Sequence, residues 1–280
     1  MRGMDEMTTA EESDPGEQPG APEVLDVTDP QIRVDSLRRA AESLKDGECV
    51  VLPTDTVYGI GADALDPLAV QRLLMAKGRG RDMPPPVLIG DAAVLPALCD
   101  RVPAAARDLA EAFWPGGLTL IFRAQEDLTM DLGETNGTIA VRVPDQDAAR
   151  DLLRITGPLA VSSANKSGHP AALEIGEALS QLGTSVAVYL DGGPSRIGES
   201  STIIDFASDD AGKVLRQGAL SIEDIHRVAP DVVPLDPEPA EDAGEEPTEE
   251  TTGSEDGAAE AGEPDTAGSD SAEPENGEAG

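Results

Sequence analysis

The sequence predicts a single α/β domain built on a twisted sheet that mixes parallel and antiparallel strands. Segments with helical apolar spacing and short apolar runs of strand length intermix along most of the chain. Such mixing is typical of one layered α/β domain, because all-α and all-β units would group like elements together. Strict alternation fails at 118–143 and at 186–218, where strand follows strand. We therefore expect antiparallel strands in those two regions.

The helices are predicted from apolar spacing together with capping residues. The first, 31–45, places its apolar residues on one face, and Gly47 follows its end. Asp66 caps the second helix, with Pro67 in its first turn, and this helix runs to about Lys77. The same criteria predict further helices at 91–99, 103–113, 145–155, 173–181 and 221–227.

The strands are predicted from short runs rich in Val, Ile and Leu that are bounded by turn residues. They lie at 48–53, 86–90, 118–123, 138–144, 158–163, 186–193, 201–206 and 213–218. The stretch PTDTVYGIGADAL (53–65) lies between the first strand and the second helix, and we predict a polar turn there.

Acidic residues are concentrated at the two ends of the chain. Residues 231–280 hold 18 of the 55 Asp and Glu and no Lys or Arg, and residues 1–22 hold six acidic residues and one basic residue. A segment poor in large apolar residues cannot bury enough surface to offset its ordering entropy. We therefore predict a disordered N-terminal segment at 1–24, a folded domain at 25–230 and a disordered acidic tail at 231–280.

Composition also excludes several classes of protein. The formal net charge of −35 argues against indiscriminate nucleic-acid binding, although it allows a local basic pocket. The sequence contains no CxxC and no HExxH, so we expect neither a structural nor a catalytic zinc. It shows no signal peptide and no apolar run near the roughly 20 residues of a membrane span. We expect a cytoplasmic protein that does not bind a membrane.

The polar turn at 53–65 follows a strand, where α/β folds place ligands. Gly59, Gly61 and Ala64 loosely fit a dinucleotide fingerprint, but the insertion PTDTV separates them from the strand. A turn that presents the hydroxyl groups of Thr54 and Thr56 to a small ligand fits better. A turn without a ligand is the alternative.

Three cations, Lys77, Arg79 and Arg81, lie within five residues in KGRGRDMPPP (77–86). Cations stabilise a helix C-terminus, so capping is one interpretation. The glycines and prolines also make an extended loop rich in donors. Such a loop suits polyphosphate, because arginine offers a planar fork and lysine a point charge.

Two other regions place polar groups at strand ends. Ser163 and Asn165 follow a buried strand, and an SxxK spacing begins at Ser163, but the SDN and KTG partners of serine acyl-enzymes are missing. Arg142 interrupts an apolar strand, and Arg216 lies near the end of another. A buried arginine needs an anion or several acceptors, so Arg142 binds an anion, forms a structural ion pair or lies on an exposed edge.

Seven stretches resemble the YrdC family, the threonylcarbamoyl-AMP synthases of tRNA modification, and they occur in the family's order. They are PTDTVYGIGADAL (53–65), AKGRGRD (76–82), FWPGGLTL (113–120), TIAVRVP (138–144), SSANKSGHP (162–170), LDGGPSRIGESSTIID (190–205) and LRQGALS (215–221). Seven motifs in order across 50–221 are a specific signal. The resemblance implies a single YrdC-like α/β domain with a deep, concave and positively charged cleft.

The resemblance also implies a reaction in which L-threonine, bicarbonate and ATP give threonylcarbamoyl-AMP and pyrophosphate. Separate threonylcarbamoyl-transferase machinery then modifies tRNA. It implies Mg²⁺ held by the phosphates of ATP, with no metal site on the protein. The matching motif positions assign catalytic roles to Lys77, Arg79, Ser163 and Asn165. By the same positions, threonine contacts Thr54, Arg142 and Ser201, and ATP contacts Lys77, Thr138, Ser163 and Arg216.

The chain departs from the family pattern at four positions near this site. Met83 stands where the family has Asn, Leu88 lies near its usual His, and Ser200 replaces its Glu. Gln217 stands where the family's LRPG has Pro. An alternative function is that of a YrdC-like paralogue, which binds nucleotide or RNA without synthase activity. Weak direct contact with tRNA is compatible with either function.

Overall fold

The computed structural model describes residues 21–235. Of the two predicted tails, only 21–24 and 231–235 fall within this range, and the rest of both predictions lies outside the described residues. No helix among the described residues is long and apolar enough to cross a membrane.

The described residues form one mixed α/β domain, as the sequence predicts. The helices are α1 Pro30–Lys45, α2 Pro67–Lys77, α3 Leu95–Leu98, α4 Ala104–Phe113, α5 Asp147–Thr156, α6 Ile175–Leu182 and α7 Ile222–His226. The strands are β1 Glu23–Asp26, β2 Val50–Leu52, β3 Gly59–Asp63, β4 Val87–Leu88, β5 Leu118–Arg123, β6 Thr138–Arg142, β7 Leu159–Ser163, β8 Val188–Asp191, β9 Thr202–Asp205 and β10 Lys213–Arg216.

The strands make one sheet in the order β1-β8-β2-β3-β7-β4-β6-β5-β9-β10. Parallel pairs, such as β1 with β8 and β5 with β9, mix with antiparallel pairs, such as β3 with β7. The predicted antiparallel pairing within 118–143 is confirmed by β5 and β6. Within 186–218 it holds for β9 and β10, whereas β8 lies in the other half of the sheet and pairs in parallel with β1 and β2.

The two halves of the sheet are covered differently. Alternate side chains of β2 and β8 point to opposite faces, so Val50 and Leu52 pack with α1 and α5, while Val51 packs with α2 and α6. In the other half, Leu120 and Val141 belong to a core with α3, α4 and α7. The opposite face of that half is left for the cavity described below.

β3 lies where the sequence predicts a turn, and that prediction is wrong for Gly59–Asp63. The strand pairs antiparallel with both β2 and β7. Glycine is rare in strands, so Gly59 and Gly61 favoured the prediction of a turn over that of a strand. They are needed here because a Cβ at Gly59 would lie 2.6 Å from Cγ1 of Val161. Since both glycines lie inside a strand, they do not form a dinucleotide-binding loop.

The fold extends beyond both predicted domain boundaries. β1 contains Glu23 and Val24, which the sequence analysis assigned to the N-terminal tail. At the other end, Val232 is buried and Val233 pairs with Lys213 of β10. These partners are provided by distant parts of the chain, so local composition does not reveal them.

Thr202 fixes the loop that follows β10. Its side chain is fully buried, and Oγ1 donates to the carbonyl oxygen of Leu220 at 3.0 Å. Oγ1 of Thr202 also accepts from the backbone N–H groups of Gly218 and Leu220, each at 3.0 Å. One hydroxyl therefore satisfies three backbone groups beside Arg216.

Thr202→Val should lower the free energy of unfolding by about 1–3 kcal/mol, because a methyl group of the same size cannot satisfy these three groups. Urea denaturation measures the change. Thr184→Val, at an exposed turn position, is the control and should stay within about 0.5 kcal/mol of the wild type. Equal stability of the two variants would contradict this role.

Candidate functional site

A cavity of about 300 Å³ lies over the half of the sheet formed by β5, β6 and β9. Along β6, Thr138, Ala140 and Arg142 line the cavity, whereas Val141 belongs to the core on the other face. Thr119 of β5 takes a corresponding place next to core residues of its own strand. The alternation of the strands thus places polar side chains on the cavity side of the sheet, and the other side faces the apolar core. Apolar side chains also line the cavity, among them Ile121 and Ile203.

Arg142 is the most deeply buried cation on this floor. Its Nη2 donates to Oδ1 of Asp55 at 2.6 Å, Nη1 to Oγ1 of Thr56 at 2.8 Å, and Nε to the carbonyl oxygen of Gly116 at 2.9 Å. Burial lowers the pKa of Arg142, while Asp55 opposes that shift. Of the interpretations left open by the sequence, the structural ion pair is present, and the side chain also borders the cavity.

Arg79 and Arg216 face the same cavity, and neither forms an ion pair with a described residue. Arg79 donates through Nη1 to Oγ of Ser162 at 3.1 Å, and its buried Nε has no acceptor. Arg216 donates through Nη2 to the carbonyl oxygen of Ser201 at 2.7 Å. Burial lowers the pKa of Arg216, and repulsion from Arg142 and Arg79 lowers it further. The three guanidinium groups are therefore close enough to influence one another.

Lys77 has a different position from the one its motif predicts. Its side chain is 1% exposed and is not part of the cavity lining. Nζ donates to the carbonyl oxygens of Ser163 and Asn165, the latter at 2.7 Å, and lies 3.4 Å from Oδ1 of Asn165. Burial lowers the pKa of Lys77 to about 7, and Arg79 and Lys166 add repulsion. Lys77 thus holds the loop after β7, and Asn165 is held with it.

Hydroxyl groups make up most of the remaining polar lining. Oγ1 of Thr54 donates to the carbonyl oxygen of Val57 at 2.6 Å. Oγ of Ser201 lies 2.8 Å from Oγ1 of Thr119, and Thr138 donates to the carbonyl oxygen of Thr135 at 2.8 Å. Because each hydroxyl can also accept or donate a further hydrogen bond, these groups can orient a ligand without adding charge.

Seven of the nine site residues predicted from the sequence border the cavity. They are Thr54, Arg79, Thr138, Arg142, Ser163, Ser201 and Arg216. Lys77 and Asn165, the latter a residue of the loop after β7, are not part of the lining. Sequence reasoning missed Asp55, although it lies between two threonines that were singled out, because its partner Arg142 is 87 residues away. It also missed Ser162 and Thr119, whose orientation follows only from strand alternation.

The described part of the chain contains no cluster of three or more His, Cys, Asp or Glu that could hold a metal ion. The cavity lining contains no carboxylate either. Hard cations such as Mg²⁺ need oxygen ligands, preferably charged ones, and three guanidinium groups repel a cation that arrives alone. The residues of the cavity therefore fit an anionic ligand better than a free cation.

A protein-family model for Sua5, YciO and YrdC proteins, described as telomere recombination, matches residues 42–218. A Mycobacterium tuberculosis protein, named provisionally as a threonylcarbamoyl-AMP synthase, is 49% identical over 206 residues, which cover 74% of this chain and 94% of that protein. Threonylcarbamoyl-AMP synthase of Bacillus subtilis is 39% identical over 73% of this chain and 58% of its own length.

Solved structures give the same relationship. A crystal structure of Pyrococcus abyssi Sua5 complexed with L-threonine superposes with a TM-score of 0.71 at 35% identity, over 76% of this chain and 62% of that one. Escherichia coli YciO superposes with a TM-score of 0.64 at 25% identity, over 72% of this chain and 98% of that one. The chain thus spans somewhat over half the length of the Bacillus and Pyrococcus relatives and nearly the full length of the others.

Lys77→Met should lower the free energy of unfolding by about 2–4 kcal/mol, because it leaves buried carbonyl oxygens without their donor. Lys45→Met, at the exposed end of α1, is the control and should change stability by less than about 0.5 kcal/mol. Urea denaturation compares them. If Lys77→Met is as stable as its control, Nζ does not hold the loop.

Proposed function

The chain belongs to the Sua5/YciO/YrdC family, and we propose that its cleft converts L-threonine, bicarbonate and ATP into threonylcarbamoyl-AMP and pyrophosphate. The single observation that carries the proposal is the convergence of three arginines and a set of hydroxyl groups on one cavity. Relatives across bacteria, archaea and mammals are named threonylcarbamoyl-AMP synthases. The threonine complex of the Pyrococcus relative supports an amino acid as one ligand.

The charges suggest where each substrate binds. Arg79 and Arg216 form no ion pair within the described residues 21–235, so they are the groups best suited to the phosphates of ATP. Ser163 and Thr138 would add hydrogen bonds to the nucleotide. Arg142 would receive the carboxylate of threonine, since its ion pair already balances its charge.

Oγ1 of Thr54 lies 3.0 Å from Oγ1 of Thr56, which accepts from Arg142. Ser201 borders the same cavity and accepts from Arg216. Thr54 and Ser201 would contact threonine. Lys77 and Asn165 would act on the phosphates indirectly, by fixing the loop that carries Ser163. This differs from direct phosphate contact, which their motif implies.

In the proposed reaction, the amine of threonine attacks bicarbonate and forms a carbamate with loss of water. A carbamate oxygen then attacks the α-phosphorus of ATP, and the bond to pyrophosphate breaks. Both reactants are anionic, so they repel each other. Fixed guanidinium groups offset this repulsion and align the attack, and they need no reorganisation when charge moves to the leaving group.

Mg²⁺ would enter with ATP and neutralise charge on its phosphates. Transfer of the threonylcarbamoyl group to tRNA would need a separate enzyme. We place the reaction in the cytoplasm, where ATP and tRNA are found. A paralogue that only binds nucleotide or RNA is the competing function, and substrate dependence separates the two.

Arg79→Ala should lower kcat/KM about 10²–10³-fold, because it removes a fixed donor at the phosphates. Arg81→Ala is the matched control, since Arg81 is exposed and pairs with Asp131 on the surface; it should change the rate less than about threefold. A pyrophosphate assay with ATP, threonine and bicarbonate measures both. Pyrophosphate release that does not require threonine, or no release, would favour the binding paralogue.

Mg²⁺ should bind only together with nucleotide. Titration calorimetry of the protein with MgCl₂ alone should give no binding heat, because the cavity offers no carboxylate. With ATP present, Mg²⁺ should raise the affinity of the protein for the nucleotide, and EDTA should abolish turnover. Saturable Mg²⁺ binding at micromolar concentration without ATP would contradict this assignment.

A further inference from the structure

The three arginines of the cavity differ in charge balance. Arg142 forms the ion pair with Asp55, and both side chains are almost completely buried, at 7% and 1% exposure. Arg79 and Arg216 form no ion pair with any of residues 21–235 and bind only neutral oxygens. The cavity therefore combines two guanidinium groups whose charge no ion pair balances with one, that of Arg142, whose charge is balanced.

We propose that Asp55 is a specificity-determining and positioning residue, which reserves Arg142 for the amino-acid carboxylate by keeping polyphosphate away from it. This inference rests on the proposed function. Asp55 itself is absent from the cavity lining, so it acts through Arg142 and does not touch a substrate.

Such a device is needed because both substrates are anions. Polyphosphate carries several negative charges and an α-carboxylate carries one, so polyphosphate wins any competition that net positive charge alone decides. The carboxylate of Asp55 cancels the net charge of Arg142. What remains at Arg142 is directional hydrogen bonding, which suits a planar carboxylate.

The hydrogen bonds around Arg142 leave the right number of donors. A guanidinium group has five N–H bonds, and three of them are used by Asp55, Thr56 and Gly116. One N–H on each terminal nitrogen stays free for a ligand, which matches the two oxygens of a carboxylate. Asp55 is held in turn by the backbone N–H of Asp145 at 2.9 Å, so the plane of the guanidinium group is fixed.

Two substitutions of Asp55 separate the effect of its charge from the effect of its shape. Asp55→Asn keeps an oxygen that can accept from Arg142 and from Asp145 but removes the charge. Oδ2 of Asp55 is buried and has no hydrogen-bond partner among the described residues, so the new amide group breaks no existing hydrogen bond. Asp55 also borders a second, polar cavity of about 180 Å³. Asp55→Glu does the opposite, because it keeps the charge and disturbs the fit.

The experiment measures the affinity for L-threonine by titration calorimetry, with and without saturating inorganic tripolyphosphate. In the wild type the two ligands should bind together, and the Kd for threonine should change less than about threefold. In Asp55→Asn, tripolyphosphate should raise the apparent Kd for threonine at least about tenfold, by competition at Arg142. Asp55→Glu should behave like the wild type in this ratio, even if it is less stable.

Asp145→Asn is the control, because it removes a half-exposed carboxylate that pairs with Arg196. The ratio of its Kd values for threonine, with and without tripolyphosphate, should equal that of the wild type. Competition already present in the wild type would overturn the proposal without any variant. So would an Asp55→Asn ratio like that of the wild type, or an Asp55→Glu ratio like that of Asp55→Asn. A wild type that binds tripolyphosphate but no threonine, and releases no pyrophosphate, would instead refute the proposed function and this inference with it.

Discussion

The buried ion pair between Arg142 and Asp55 is the contact on which the geometry of the cleft is built. It joins the end of β6 to the segment after β2, and through Gly116 it also holds the turn before β5. The desolvation cost of a buried pair is offset in part by hydrogen bonds to its other polar atoms. Thr56 and the backbone N–H of Asp145 supply two of these hydrogen bonds. The polar stretch PTDTV thus serves the fold first, and the cleft follows from it.

Lys77, Arg79 and Arg81 belong to one short motif but have three different structural roles. Lys77 is buried among carbonyl oxygens, Arg79 enters the cavity, and Arg81 pairs with Asp131 on the surface. Three adjacent cations therefore face three different environments. Gly78, which ends α2 in a left-handed conformation, turns the chain between the first and the second. The motif resembles one phosphate-binding unit, yet only Arg79 borders the cavity. Lys77 supports the loop after β7, and Arg81 lies on the surface.

Much of the fold could be predicted from the sequence, because apolar periodicity and capping are local signals. Asp66 and Pro67 begin α2 as expected, and β5 and β6 pair antiparallel. β3 could not be predicted, since Gly59 is explained by the close approach of Val161, which is distant in the chain. In the site, motif resemblance found the residues of the cavity but not their charge balance. The roles of Asp55 and Lys77 depend on non-local partners, which no local pattern encodes.

We propose that Arg79 and Arg216, which form no ion pair among the described residues, bind phosphate, while the neutralised Arg142 binds a carboxylate. A crystal structure of the protein with a non-hydrolysable ATP analogue and L-threonine tests it most directly. We predict phosphate oxygens within about 3.2 Å of the guanidinium nitrogens of Arg79 and Arg216, and the threonine carboxylate on Arg142. Phosphate bound to Arg142, or a triphosphate lying outside the cavity with Arg79 turned to solvent, would contradict this account.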